Sequence, residues 1–253
     1  MFNVAKLFNE IIYKMLMKII KCPFSFGIFK RYYSQNLSDE QCLLNIEETL
    51  KHSPSYMHLC KEYQKNFNKD VKDLIKSMEV YENFLSVNEE ASLLQELEPY
   101  MKKLRYEYDH WDNAIHGFRE TERLKWNNEN TRILNRVREI AFPHDTAQLK
   151  YVHILDLAEN GYIKPHIDAV KFCGNTIAGL SLLTDSVMKL VNDKNKELYV
   201  DVLLKRRSLY VMKDEARYNY THEILDNKNS IFKNTQIFKT RRISVICRNE
   251  PNK

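Results

Sequence analysis

From Lys150 onward the chain breaks into short β-prone runs, and this narrows the available folds more than any other feature. The runs are Tyr151–Leu157, Tyr162–Asp168, Ile177–Leu183, Val187–Val191, Tyr199–Leu204, Ser208–Met212, Tyr220–Ile224 and Ile243–Arg248. Turn-forming stretches such as Glu159-Asn160-Gly161 and Asp193-Lys194-Asn195-Lys196 separate them. Many short strands at close spacing predict a mainly β core, closed as a barrel or a double-sheet jelly roll. Helical patterns lie upstream, so the expected architecture is a jelly roll with flanking N-terminal helices.

Residues 1–33 place Lys6, Lys14, Lys18, Lys21, Lys30 and Arg31 among Phe, Ile, Leu and Met, with Glu10 the one acid. On a helix this is a basic, amphipathic, acid-poor stripe. Lysines interrupt every apolar run, which excludes a membrane span or a secretory signal and predicts a mitochondrial transit peptide cleaved near Tyr33-Ser34. The same segment accounts for the whole formal charge of +5, because the remaining residues balance at 33 basic and 33 acidic. A neutral body gives no global field for nucleic acid, and no DNA partner is expected. The five cysteines show no zinc-type spacing and predict free thiols in a reducing compartment.

Residues 34–80 are expected to form a helical extension. Ser38-Asp39-Glu40-Gln41 is a capping box opening a helix towards His52, and a second helical period runs from Tyr56 to Met78. The body, residues 81–253, opens with a short strand, Tyr81–Ser86. Two further helices follow, one capped at Ser86-Val87-Asn88-Glu89 and one over 127–142. Between them, Tyr106 to Glu122 is dense in aromatics and acids and reads as either a loop over a site or a hairpin. His110 and His116 lie in it and are assigned to surface hydrogen bonding rather than to a metal.

The chemistry-bearing stretch is Gly161-Tyr162-Ile163-Lys164-Pro165-His166-Ile167-Asp168. On an extended chain, residues two apart share a face, so His166 and Asp168 can aim at one point. They are two-thirds of a 2-His-1-carboxylate set of the kind that binds Fe(II) and leaves positions open. On the tripeptide alone a simple hydrogen-bonded pair is the favoured reading, since His-x-Asp recurs often by chance. His222 is the one histidine after Asp168, and a jelly roll could bring it opposite His166. Arg242 and Arg248 are an even six apart, so a regular strand turns both to one side. Two guanidiniums on an inward face are costly unless a dianion, such as a small dicarboxylic acid, pairs them.

In their order, His166-x-Asp168, His222 and Arg242-x5-Arg248 resemble the AlkB family of Fe(II)- and 2-oxoglutarate-dependent oxygenases. YEYDHWDNAIHGFRETE, GYIKPHID, KFCG, IAGLSLL, SLYVM, HEIL and RRISVICR extend the resemblance over roughly Tyr81 to Pro251. It implies a double-stranded β-helix, with iron held by His166, Asp168 and His222. It also implies 2-oxoglutarate on Arg242 and Arg248, Tyr210 as hydroxyl donor, and Ser244 beside Arg242. Many members carry Asn-x-Tyr on the strand before the metal motif. Here that position reads Leu155-Asp156-Leu157, and leucines cannot donate, so Tyr210 is expected to take over. With the neutral body, this argues against the usual nucleotide demethylation. Expected partners are 2-oxoglutarate, O2 and either a mitochondrial protein side chain or a methylated mitochondrial RNA, in the matrix. The resemblance extends to a matrix stress response that ends in programmed necrosis. The alternative is a non-catalytic regulator or scaffold that keeps the pocket.

Overall fold

A computed structural model of the chain describes residues 53–108 and 114–251. The expected transit peptide, the helix opening at Ser38, and His110 lie outside them. In chain order the elements are β1 (Met57–Leu59), α1 (Lys61–Lys65), α2 (Lys69–Ser77), β2 (Met78–Tyr81), α3 (Val87–Met101), β3 (Ile115–Arg123), α4 (Asn128–Ala141) and β4 (Val152–His166). Then come β5 (Thr176–Leu182), β6 (Ser186–Asn192), β7 (Tyr199–Leu204), β8 (Ser208–Lys213), α5 (Asp214–Tyr218) and β9 (Tyr220–Ile224). A small hairpin, β10 (Ile231–Phe232) and β11 (Thr235–Gln236), precedes β12 (Arg242–Arg248).

Antiparallel pairing runs β1-β7-β6-β9-β4-β12-β5-β8-β2, with β3 on the other edge of β4. Strand β4 is the pivot that folds this ribbon into two facing sheets. Its first half, residues 153–157, pairs with β12, and its last residues pair with β9. The result is the double-stranded β-helix, or jelly roll, expected from the strand spacing. The sequence suggests a turn at Glu159-Asn160-Gly161, but β4 passes through it as one bent strand, because β3 pairs with residues on both sides. The bend needs glycine. Gly117 sits at φ +64°, and a Cβ on Gly161 would lie 2.4 Å from the Gly117 carbonyl oxygen.

Strand alternation sorts the large sheet into two faces. Ile243, Val245 and Cys247 of β12 join Leu180 of β5 and Val211 of β8 on the outer face, against Leu93, Leu97, Ile133 and Val137 of α3 and α4. Each such side chain contributes roughly 1.5–3 kcal/mol when buried. Both helices begin where the sequence says. Ser86 and Glu89 form a reciprocal capping box at α3, and the Asn127 side chain accepts from the Asn130 amide at α4. The inner face carries Leu155, Ile177, Tyr210 and Ile246, facing Met188, Leu190 and Ile224 of the smaller sheet.

Between 56 and 78 the expected single helix is replaced by β1, α1 and α2. Met57 and Leu59 pair with β7 and are buried, so sheet closure overrides the local helical period. At the other end of the segment β2 pairs with β8, which makes this segment part of the sheet rather than a purely helical extension. The strand expected at Tyr81–Ser86 lies three residues earlier, at Met78–Tyr81. Cys60, Cys173 and Cys247 are free and buried, as expected. No helix among the described residues is long and apolar enough to cross a membrane.

Candidate active site

The jelly roll encloses a cavity of about 760 Å³, open at one end and lined by residues of both sheets. Every site residue singled out in the sequence lies on it: His166, Asp168, Tyr210, His222, Arg242, Ser244 and Arg248. Sheet register brings the histidines together, since His166 of β4 is the direct cross-strand partner of His222 of β9. Their ring centroids are 4.3 Å apart. Asp168 stands two residues past the end of β4, so it is the loop that turns its carboxylate back, not the strand pleat. Asp168 Oδ1 lies 3.3 Å from His166 Nε2 and 3.8 Å from His222 Nε2.

One ligand atom from each of the three falls within 4.8 Å of the others. Such a cluster could hold one divalent ion, with open positions towards the cavity. His166 Nδ1 is 2.9 Å from the Lys164 carbonyl oxygen, to which it donates; that puts the ring lone pair on Nε2, the nitrogen beside Asp168 Oδ1. Burial, then the neighbouring His166, push His222 down to about 3, so its imidazole is neutral. Burial alone would raise the Asp168 carboxyl. Contact with His166 and the charge of Arg248 outweigh it and hold the group well below the usual carboxylate range. A neutral imidazole at His222 and an ionised carboxylate at Asp168 are the forms that bind metal.

Deeper in, Arg242 is 2% exposed. Its Nη1 donates to Ser244 Oγ at 3.3 Å, and its Nε has no partner. Burial lowers its pKa, opposed by Tyr210. No carboxylate among the described residues is paired with it in a salt bridge. A buried cation held by one neutral hydroxyl is expensive, and a ligand carboxylate is the natural counter-ion. Tyr210 reaches this region because its neighbour across the ladder is Gly179, where a Cβ would meet the phenol ring at 2.4–2.5 Å. Arg248 shares the inner face, as even spacing predicts, but it is engaged differently. Its Nε is 3.5 Å from Asp168 Oδ2 and its Nη1 is 3.3 Å from His153 Nδ1. His153 and Cys173, whose thiol is 3.9 Å from Asp168 Oδ2, were not singled out in the sequence. For His153 a signal was present, since it shares the inward parity of Leu155. His116 is stacked on Tyr162 and edge-on to Tyr108, away from the triad.

Residues 64–248 match the sequence profile of the 2OG-Fe(II) oxygenase superfamily. The chain belongs to that superfamily. Within it, the oxygenase is 54% identical over 172 residues to the mouse alpha-ketoglutarate-dependent dioxygenase alkB homolog 7, mitochondrial, covering 68% of this chain and 78% of the relative. To its bovine counterpart it is 52% identical over 168 residues, covering 66% and 76%. These matches place the oxygenase in the AlkB family. The solved structure of OsALKBH1 shares the fold at a TM-score of 0.51 with 9% identity, over 68% of this chain and 97% of that one. Accordingly the protein is a dioxygenase that uses Fe(II) with 2-oxoglutarate and O2 as co-substrates, and the donor set and buried arginine of the cavity suit both groups.

Proposed function

We propose that His166, Asp168 and His222 hold Fe(II), and that Arg242 pairs with the distal carboxylate of 2-oxoglutarate. Ser244 keeps the Arg242 fork in place, and the Tyr210 hydroxyl donates to the co-substrate from the neighbouring strand. Arg248 completes the inner face with its positive charge. Leu155 and Leu157, on the strand where many AlkB members carry Asn and Tyr, leave hydrogen bonding to Tyr210. One observation carries the reading: the buried Arg242 guanidinium lacks an anion, in the cavity that holds a histidine–carboxylate triad. A scaffold has no use for that expensive arrangement.

Bound Fe(II) supplies the oxidation that couples O2 and 2-oxoglutarate to hydroxylation of a C–H bond, with succinate and CO2 released. The protein orients the donors, clamps the co-substrate and lines the reacting space with Leu155, Ile163, Met188 and Ile224, which limit water. A dicarboxylate of five carbons fills only part of the cavity, and the remainder suits a protein side chain or a methylated RNA base. The mouth carries Glu120 and Glu122, which repel phosphate, so the protein side chain is favoured.

Residues 1–33 direct the enzyme to the mitochondrial matrix, in line with relatives named as mitochondrial. The decisive assay is anaerobic titration with Fe(II) and 2-oxoglutarate, where a metal-to-ligand charge-transfer band is expected, followed by succinate formation on admitting O2. Neither appearing would remove the oxygenase reading. Mass spectrometry of matrix proteins and tRNAs, with and without the enzyme, identifies the substrate. The link to programmed necrosis is tested by rescue of a deletion strain, which Arg242→Gln should fail to give.

A further inference from the structure

Three neighbouring strands of the large sheet put a line of polar side chains between the cavity mouth and Asp168. Glu120 is on β3, His153 on β4 and Arg248 on β12. Register fixes the line, because His153 is the cross-strand partner of Ile246 on one side and of Glu122 on the other. Glu120 Oε2 lies 2.9 Å from His153 Nε2, His153 Nδ1 lies 3.3 Å from Arg248 Nη1, and Arg248 Nε lies 3.5 Å from Asp168 Oδ2.

The directions of these contacts are dictated. A guanidinium only donates, so His153 Nδ1 accepts, the ring proton sits on Nε2, and Nε2 donates to the Glu120 carboxylate. The two oxygens of Asp168 are thereby divided. Oδ1 faces the histidine pair, while Oδ2 faces Arg248.

We propose that Glu120 and His153 are positioning residues, which hold Arg248 against the outer oxygen of Asp168 so that only Oδ1 is presented to the metal. The proposal rests on the reading of His166, Asp168 and His222 as the iron site. Its value to the reaction is a matter of coordination positions. A carboxylate that turned to donate both oxygens would occupy a position that the co-substrate or O2 needs. Arg248 alone is a poor latch, being a flexible side chain 22% exposed. His153 fixes where its fork points, and Glu120 fixes the tautomer of His153. Partners of metal ligands commonly matter by about 10–100-fold in metal affinity or activity. Partial exposure of this line places the expected effect near the lower end.

The test uses the full chain with Mn(II) as a redox-silent probe, measured by calorimetry, beside the anaerobic Fe(II)–2-oxoglutarate charge-transfer band. His153→Leu should weaken Mn(II) binding about 10-fold and shift or weaken the band, with the melting temperature of the metal-free protein unchanged. His153→Asn keeps an acceptor near the place of Nδ1 and should recover most of both signals, and Glu120→Ala should fall between. A packing role would instead lower the melting temperature and give no recovery with Asn, and that pattern overturns the proposal. So does a His153→Leu variant with wild-type affinity and band. Wild-type protein that binds no Mn(II) would sink the iron-site reading as well, whereas wild-type binding shared equally by the variants sinks the positioning role alone.

Discussion

Arg241 and Arg242 are adjacent in sequence and opposite in circumstance. Arg241 turns to the outer face, where Nη2 is 2.8 Å from Asp156 Oδ2 and Nη1 is 2.5 Å from Glu98 Oε1. Hydrogen bonding to Asp156 raises its pKa. The fully buried Asp156 also takes Arg119 Nε at 2.7 Å and the Tyr106 hydroxyl at 3.1 Å, tying β3, β4, α3 and the end of β12 together. Arg242 turns inward and meets one serine hydroxyl. A charge completed by the fold is structure, whereas a charge the fold leaves incomplete is a place kept for a ligand. The same distinction separates the two faces of the sheet, one closed under α3 and α4, the other open around a cavity.

The largest expected effect falls on the inner side. His166→Ala or Asp168→Ala should abolish Fe(II)-dependent succinate formation while circular dichroism and melting stay near wild type, because each removes one of the three proposed metal donors. Wild-type turnover in both variants would break the comparison at its root.

Next comes the outer side. Asp156→Ala leaves Arg119 and Arg241 short of a counter-charge and should cost about 3–5 kcal/mol of folding stability, read by urea denaturation. Loss of activity with no loss of stability would show that the outer cluster belongs to the site instead.

Arg242→Gln removes the proposed charge-assisted contact to the co-substrate, worth roughly 1.5–3 kcal/mol, so 2-oxoglutarate affinity should drop by about one to two orders of magnitude. Arg242→Lys should recover only part, since it keeps the charge and loses the fork. Calorimetry with Mn(II) present measures both, and unchanged affinity in Arg242→Gln would move the clamp elsewhere.

The most gradual effect is a pH slope. His222 titrates at about 3 in the folded chain against 6.5 ordinarily. The unfolded chain therefore takes up this proton first, and the contribution is whole above pH 6.5 and is lost as pH falls towards 3. The metal-free protein should lose up to about 1.4 kcal/mol per pH unit in that window. His222→Gln should flatten the curve, and an unchanged slope would assign it to another group.

Much of this organisation was legible in the sequence, for identifiable reasons. Alternation in Arg242–Arg248 separates inward Arg242, Ser244 and Arg248 from outward Ile243, Val245 and Cys247, and strand geometry keeps that parity. His-x-Asp marks its own place. Local pattern fails where distant pairing decides. The sequence of 56–78 carries a helical period, yet pairing with β7 and β8 turns its two ends into strands. Glu159-Asn160-Gly161 reads as a turn, yet β3 holds β4 continuous through it. Glu120, His153 and Arg248 form a line only because β3, β4 and β12 are neighbours, which no spacing in the chain announces.

The central claim is that Arg242 is kept for the co-substrate and Arg241 for the fold. It is tested most directly by denaturing wild type, Arg241→Met and Arg242→Met with Mn(II), each with and without 2-oxoglutarate. At a ligand concentration of about 100 times Kd, binding should add about 2.7 kcal/mol to the wild type. Arg241→Met should start less stable and still gain from the ligand. Arg242→Met, relieved of an unpaired buried charge, should start as stable as wild type or more so and gain almost nothing. An Arg242→Met protein that is destabilised on its own and gains the wild-type increment from 2-oxoglutarate would contradict the account.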